Sequence, residues 1–274
     1  MESKRYFELL VKKPEEQIQL AEAALYIARD EYPQISITGY LSQLKQWSAA
    51  LKKEASRKPK TSRLDLLNDL LFQQMQFSGN IENYYDPKNS FLNDVIDSRK
   101  GIPISLSVIY LELAWSLGLD AAGIGFPGHF LVRVNHQGNT VYVDTFYKGR
   151  ILSELDCVEF WNDISEGEVE FQHSFLTQMN KHQILVRMLR NLKGIYLEQK
   201  TYKKVLRVMD KLIVMNPHLP EEVRDRGIIY YQIQGFRHAL KDFETYLSVV
   251  PHADDAGIIQ QYVEVLREYD SHLN

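Results

Sequence analysis

The 274-residue sequence predicts an α+β fold, and three observations carry that reading. Apolar residues recur at helical spacing through most of the first 117 positions. Between residues 122 and 145 the period shortens to that of strands. After residue 180 a pattern returns every 34 residues. The expected organisation is a mainly helical domain over residues 1–180, with a buried helix at 103–117 and a small antiparallel sheet at about 122–145. An all-helical domain over residues 181–274 follows, made of two repeats and a capping helix.

The elements follow from local chemistry. Pro14 opens a helix expected over 14–29, with Ile18, Ala21, Leu25 and their neighbours on one broad face. Pro33 stops it, because the residue ahead of a proline is pushed out of the helical region. Leu41, Leu44, Trp47 and Leu51 mark a second helix at 38–54, and Leu64, Leu67, Leu71 and Met75 a third at 63–75. Between them, residues 52–63 carry six basic residues against Glu54, which reads chiefly as a solvated loop and secondarily as a phosphate or partner patch. A turn-rich stretch precedes a short helix at 91–98, which Gly101 is expected to end.

The helix at 103–117 is apolar on nearly every side, the mark of a buried helix, with Ser105, Glu112 and Ser116 as a polar stripe. Gly118 ends it. Strands are expected at 122–126, 129–134 and 140–144, the last two joined by a hairpin turn at 136–139. A helix at 152–164 carries Cys157 as a packing residue.

Composition narrows the function. A net charge of −4 and the lack of any DNA-reading motif argue against direct nucleic-acid binding. One cysteine permits no internal disulfide and fits a reducing compartment. The N-terminal segment lacks the apolar core of a secretory signal, and no apolar run is long enough to span a bilayer, so a cytoplasmic location is expected. The scattered histidines have no metal-ligand spacing, and no glycine-rich phosphate loop occurs, so no metal or cofactor is expected.

In the last third, Tyr196, Val205, Met209, Leu212 and Pro217 are matched 34 residues later by Tyr230, Ala239, Phe243, Tyr246 and Pro251. These units resemble tetratricopeptide repeats. Gly227, Tyr230, Ala239, Phe243 and Pro251 stand at that family's spacing in the second unit. In the first, Gly194 is one place late and Val205 replaces the small alanine. The resemblance implies a surface for a protein or peptide partner.

Residues 77–134, with Arg-Lys-Gly-Ile-Pro-Ile-Ser-Leu-Ser at 99–107 and Gly-Phe-Pro-Gly-His-Phe at 125–130, are more distinctive. They resemble the bacterial transglutaminase-like family that carries C-terminal tetratricopeptide repeats, the SirB-type regulatory proteins. In active transglutaminase-like enzymes a cysteine opens the buried helix, a histidine follows on one strand and an aspartate on the next. The resemblance puts His129 and Asp144 at the latter two positions and Pro103 at the cysteine's.

Two readings follow. A non-catalytic regulatory or scaffold protein would bind partners through the repeats and a degenerate cleft. A hydrolase or acyltransferase would instead use Ser105 as nucleophile, His129 as base and Asp144 as orienter. Asn80, Glu82, Tyr84, Tyr85 and Asp86, a polar and aromatic cluster ahead of the buried helix, are candidates to line the same cleft or to order a turn.

Overall fold

The computed structural model describes residues 2–271. In chain order its elements begin with α1 (Glu2–Val11), α2 (Leu20–Ala28), α3 (Ile37–Arg57), α4 (Arg63–Asn68) and the short strand β1 (Ser78–Gly79). Next come α5 (Leu92–Ser98), β2 (Lys100–Gly101), α6 (Pro103–Ser116), β3 (Ala121–Ile124), β4 (Leu131–His136), β5 (Asn139–Asp144) and β6 (Arg150–Leu152). The chain continues with α7 (Glu154–Ile164), β7 (Gln178–Met179), α8 (Lys181–Glu198), α9 (Tyr202–Met215), α10 (Pro220–Gln232), α11 (Phe236–Val249) and α12 (Ala256–Ser271). It divides into two compact units, Met1–Met188 and Leu189–Asn274.

In the first unit, side-chain caps start several helices. Ser36 Oγ accepts from Gly39 N at 3.2 Å ahead of α3, and Ser62 Oγ from Asp65 N at 3.0 Å ahead of α4. Ser153 and Asp156 form a reciprocal capping box on α7. Helix α6 is the centre of the unit and packs against α2, α3, α4, α5, β3 and β4. From α6, Glu112 Oε1 accepts the Ala21 backbone N–H at 2.8 Å. It thereby serves the first turn of α2, which has no side-chain cap of its own. Burial holds the Glu112 carboxyl above its ordinary range, against the opposing effect of that hydrogen bond.

The sheet is wholly antiparallel with strand order β6-β5-β4-β3-β7, and β1 and β2 form a separate parallel pair. The three expected strands are its middle, at slightly different bounds. The edge strands β6 and β7 are three and two residues long, too short to show an alternation in sequence. Helix α1 was likewise not expected.

Several expectations need correction. Pro14 precedes only a 3₁₀ turn at Glu15–Gln17, and an extended Ile18 delays the α-helix to Leu20. The helix expected over 63–75 changes to π geometry at Asp69–Gln74. The stop after α5 is Arg99 in the left-handed conformation at φ 62°, while Gly101 lies in β2. There, an added Cβ would meet Ser105 Oγ at 2.8 Å. The expected polar stripe of α6 divides among three partners: Ser105 bonds the 89–102 backbone, Glu112 the start of α2, and Ser116 the Leu113 carbonyl.

The second unit holds helices joined by short turns, with no strand among its described residues. Its core joins Ala239, Phe243 and Tyr246 of α11 to Ile259, Val263 and Leu266 of α12. Gly227 of α10 is required by close approach, since a Cβ there would lie 2.7 Å from Phe243 Cε1. No heavy atom lies within 4 Å of a Cβ built on Gly194, so packing does not require glycine at that position. No helix among the described residues is long and apolar enough to cross a membrane.

Candidate functional site

His129 and Asp144 meet. His129 Nε2 lies 2.9 Å from Asp144 Oδ2, and the two residues are 9% and 2% exposed. Asp144 closes β5, while His129 sits in the turn ahead of β4 rather than on the strand, its N–H donating to Phe126 O at 3.1 Å. Gly128, at φ +69°, makes that turn, a conformation that L side chains rarely adopt. The second carboxylate oxygen, Asp144 Oδ1, accepts from Phe146 N at 3.0 Å and Tyr147 N at 3.2 Å. The carboxylate is therefore fixed by the backbone that follows it, and it orients the imidazole in turn.

Aromatic rings enclose the imidazole. Phe160 and Phe146 approach edge-on at 5.2 and 6.1 Å between centroids, and Tyr147 stacks at 6.2 Å. Phe146 in turn contacts Tyr84 at 5.8 Å, and Gly79 has no room for a Cβ, which would fall 2.4 Å from the Phe146 ring. Burial raises the Tyr84 phenol, with neighbouring Tyr85 adding to the effect and the Arg187 guanidinium opposing it.

Arg187, on α8, holds the turn. Its Nη2 donates to Phe126 O at 2.9 Å and His129 O at 2.6 Å. Burial lowers its pKa, the ordinary penalty on an enclosed cation. Sequence reading passed over Arg187, Phe146, Tyr147 and Phe160. Two signals were available: an arginine inside the apolar run 184–189, and two aromatics directly after Asp144.

Ser105 goes elsewhere. It is 0% exposed, and its Oγ accepts from Ile102 N at 3.1 Å and donates to Asn89 O at 2.5 Å, with Ile102 O at 3.0 Å also in reach. This is a third-position serine reaching back to its own helix start. Ser107 Oγ is 2.9 Å from Thr145 Oγ1, which also donates to Pro103 O at 3.2 Å. Thr145 thus ties the start of α6 to the residue after Asp144, so Pro103 and Asp144 are anchored to one another through backbone and hydroxyl groups.

The 80–86 cluster is mostly a turn. Asn80 Nδ2 donates to Asn89 Oδ1 at 2.9 Å, and Asn89 Nδ2 donates to the carbonyls of Asn83 and Tyr84 at 2.6 and 3.2 Å. Asp86 Oδ1 accepts from Lys88 N at 2.9 Å and starts the 3₁₀ turn Pro87–Ser90. Glu82 points into solvent, and Tyr85 is 66% exposed against Tyr84. Of the five, Tyr84 reaches the rings around His129, and Tyr85 follows through it. Cys157 is buried among Phe126, Tyr142 and Leu152, and burial pushes its thiol up to about 12.

The chain is similar in sequence to several known proteins. Residues 38–190 match the family model described as transglutaminase-like superfamily, and residues 192–264 match a tetratricopeptide repeat model. The chain is 34% identical over 253 residues to a UPF0162 protein of Xylella fastidiosa, covering 91% of this chain and 90% of that one. It is 32% identical over 225 residues to a UPF0162 protein of Vibrio cholerae, covering 81% and 82%. A shorter segment of 102 residues is 38% identical to F-box only protein 21 of Mus musculus, 34% of this chain and 16% of that one. The chain therefore belongs to the transglutaminase-like superfamily and to the UPF0162 family of bacterial proteins, and its own C-terminal region is a tetratricopeptide-repeat region.

Proposed function

We propose that the protein is a non-catalytic regulatory or scaffold protein. Its repeats engage a protein segment, and the cleft around His129 and Asp144 contributes contacts rather than bond-making. The observation that carries this reading is at the start of α6. The position at which transglutaminase-like enzymes place a thiol is Pro103, whose side chain has no nucleophilic atom. The hydrolase or acyltransferase reading asks Ser105 to face His129 and solvent, and its enclosure and its bonds to Asn89 and Ile102 argue against that role. His129 and Asp144 are then a retained structural pair. The exposed Tyr85 and Tyr147 beside them supply a surface on which a peptide can rest. A cytoplasmic setting is supported by the single, buried cysteine.

Two experiments test this. Affinity capture with the full chain is expected to recover a protein partner that is lost when the chain is cut after Glu198. A cut before Arg187 is unsuitable, because it would free the His129 turn. All three tryptophans, Trp47, Trp115 and Trp161, lie in the first unit, so their fluorescence verifies that the shortened chain is folded. Capture that survives the cut would remove the repeats as the binding surface. A fluorophosphonate probe is expected to leave the protein unlabelled, and labelling that disappears in Ser105→Ala would overturn the non-catalytic reading.

A further inference from the structure

The basic run 52–63, expected as a loop, is helical at 52–57, where it forms the end of α3, and its last residue, Arg63, opens α4; it plays no part in the His129 site, yet it borders a cavity. Lys52 and Ser56 stand one turn apart on the same face of α3. Together with Pro59, Thr61, Arg63 and the Ser116–Leu117 end of α6, they line a pocket of about 500 Å³. That volume is in the range of small-ligand sites.

The lining is cationic and hydroxylated, with no carboxylate. Glu54, the sole acid of the run, is turned to Lys58 at 2.9 Å. Arg63 uses one guanidinium nitrogen on Leu117 O at 2.8 Å, which steadies the side chain and offsets the negative end of α6. Its remaining donors, and the Lys52 ammonium, form no ion pair among the described residues. The Ser56 and Ser116 hydroxyls bond back to helix carbonyls, at 3.0 Å to Lys52 O and 2.8 Å to Leu113 O. Thr61 Oγ1 makes no side-chain hydrogen bond among the described residues.

A planar, forked guanidinium, a lysine ammonium and the Thr61 hydroxyl lining one pocket suit a tetrahedral dianion, whose oxygens accept from them, whereas the Ser56 and Ser116 hydroxyls have given their protons to helix carbonyls. A second cavity of about 380 Å³ shares Lys52 and Ser116 and adds Leu41, Lys45, Ser48 and the Glu112 carboxylate, so it has room for the uncharged remainder of a ligand while the phosphoryl group is confined to the first pocket. We propose that this pocket binds a small phosphorylated molecule, with Lys52 and Arg63 holding the phosphoryl group. A concave site of this size favours a small molecule over a polynucleotide, as does the net charge of −4.

Calorimetric titration of the full chain at low salt tests this, with inorganic phosphate, ribose 5-phosphate and adenosine 5′-monophosphate as probes. The expected result is saturable one-to-one binding of at least one of the organic phosphates. Lys52→Gln and Arg63→Gln should each weaken it about tenfold, the loss of one charge-assisted contact. Lys53→Gln, outside the pocket, should leave it unchanged. Arg63 also serves the end of α6, so if Arg63→Gln disturbs folding by circular dichroism, Lys52→Gln decides. No saturable binding of any probe overturns the proposal. So does an equal loss in Lys53→Gln, which would mean a diffuse basic surface. Binding confined to a 12-nucleotide RNA overturns it in favour of a nucleic-acid surface.

Discussion

Replacing Arg187 by methionine is expected to destabilise the first unit by about 2–4 kcal/mol. The residue donates two hydrogen bonds to backbone carbonyls, at 2.9 and 2.6 Å, and each bond from an ionised donor contributes roughly 1.5–3 kcal/mol net. The guanidinium also lies 5.7 Å from the Phe130 ring centroid, a cation–π contact of about 0.5–1 kcal/mol. Against these stands the burial penalty that lowers the Arg187 pKa, which methionine relieves while keeping the apolar stem. Phe126 O retains the His129 N–H, whereas the His129 carbonyl loses its arginine partner in a half-dry setting. Urea unfolding followed by tryptophan fluorescence measures the loss directly, because Trp47, Trp115 and Trp161 all report the first unit. The imidazole nitrogens of His129 should broaden or shift in nitrogen-edited NMR spectra as the turn loosens. A midpoint shift equivalent to less than about 0.5 kcal/mol, the range of an ordinary surface substitution, with unchanged His129 signals, would refute the assignment of Arg187 as the clamp.

Three other perturbations separate parts of the structure. Asp144→Ala should cost about 2–4 kcal/mol in the same assay, because it strands the Phe146 and Tyr147 N–H groups and the His129 ring. Asp144→Asn keeps an acceptor for both amides and should cost about half as much; equal losses would mean that those amides are unimportant. In the repeats, Gly227→Ala should destabilise by about 1–3 kcal/mol through overpacking on Phe243, read by helical circular dichroism. Gly194→Ala, with open space around it, should be neutral or stabilising by up to about 1 kcal/mol, and the reverse ranking would refute the packing argument. Glu112 has a raised folded-state pKa, so the folded chain holds that proton more tightly than the unfolded one. Its contribution to stability is present in acid and falls as pH rises from the ordinary carboxylate range through the raised value. Glu112→Gln, which keeps the acceptor for Ala21 N, should be more stable than wild type at pH 7, with the gap closing in acid. A gap independent of pH would sink that account.

Much of this protein was legible in its sequence. The nearly all-round apolarity of 103–117 announced a buried helix, and the 34-residue spacing announced the repeats, because both are patterns that the segments carry in their own composition and spacing. His129 and Asp144 were named through the resemblance to transglutaminase-like enzymes, and their meeting needs only local register, since they lie at the far ends of two strands paired through a two-residue turn. Tertiary packing decided the rest. Ser105 could not be judged from its neighbours in sequence, since its fate depends on the Asn89 carbonyl, 16 residues away. Arg187 meets the His129 carbonyl across 58 residues, a distance over which no periodic signal operates. Likewise, the basic run at 52–63 reads as a solvated loop until the end of α6 closes one wall of a pocket against it. Periodicity determines what each segment becomes, whereas the partners of a buried polar group are set only when the burial of several apolar faces is satisfied at once.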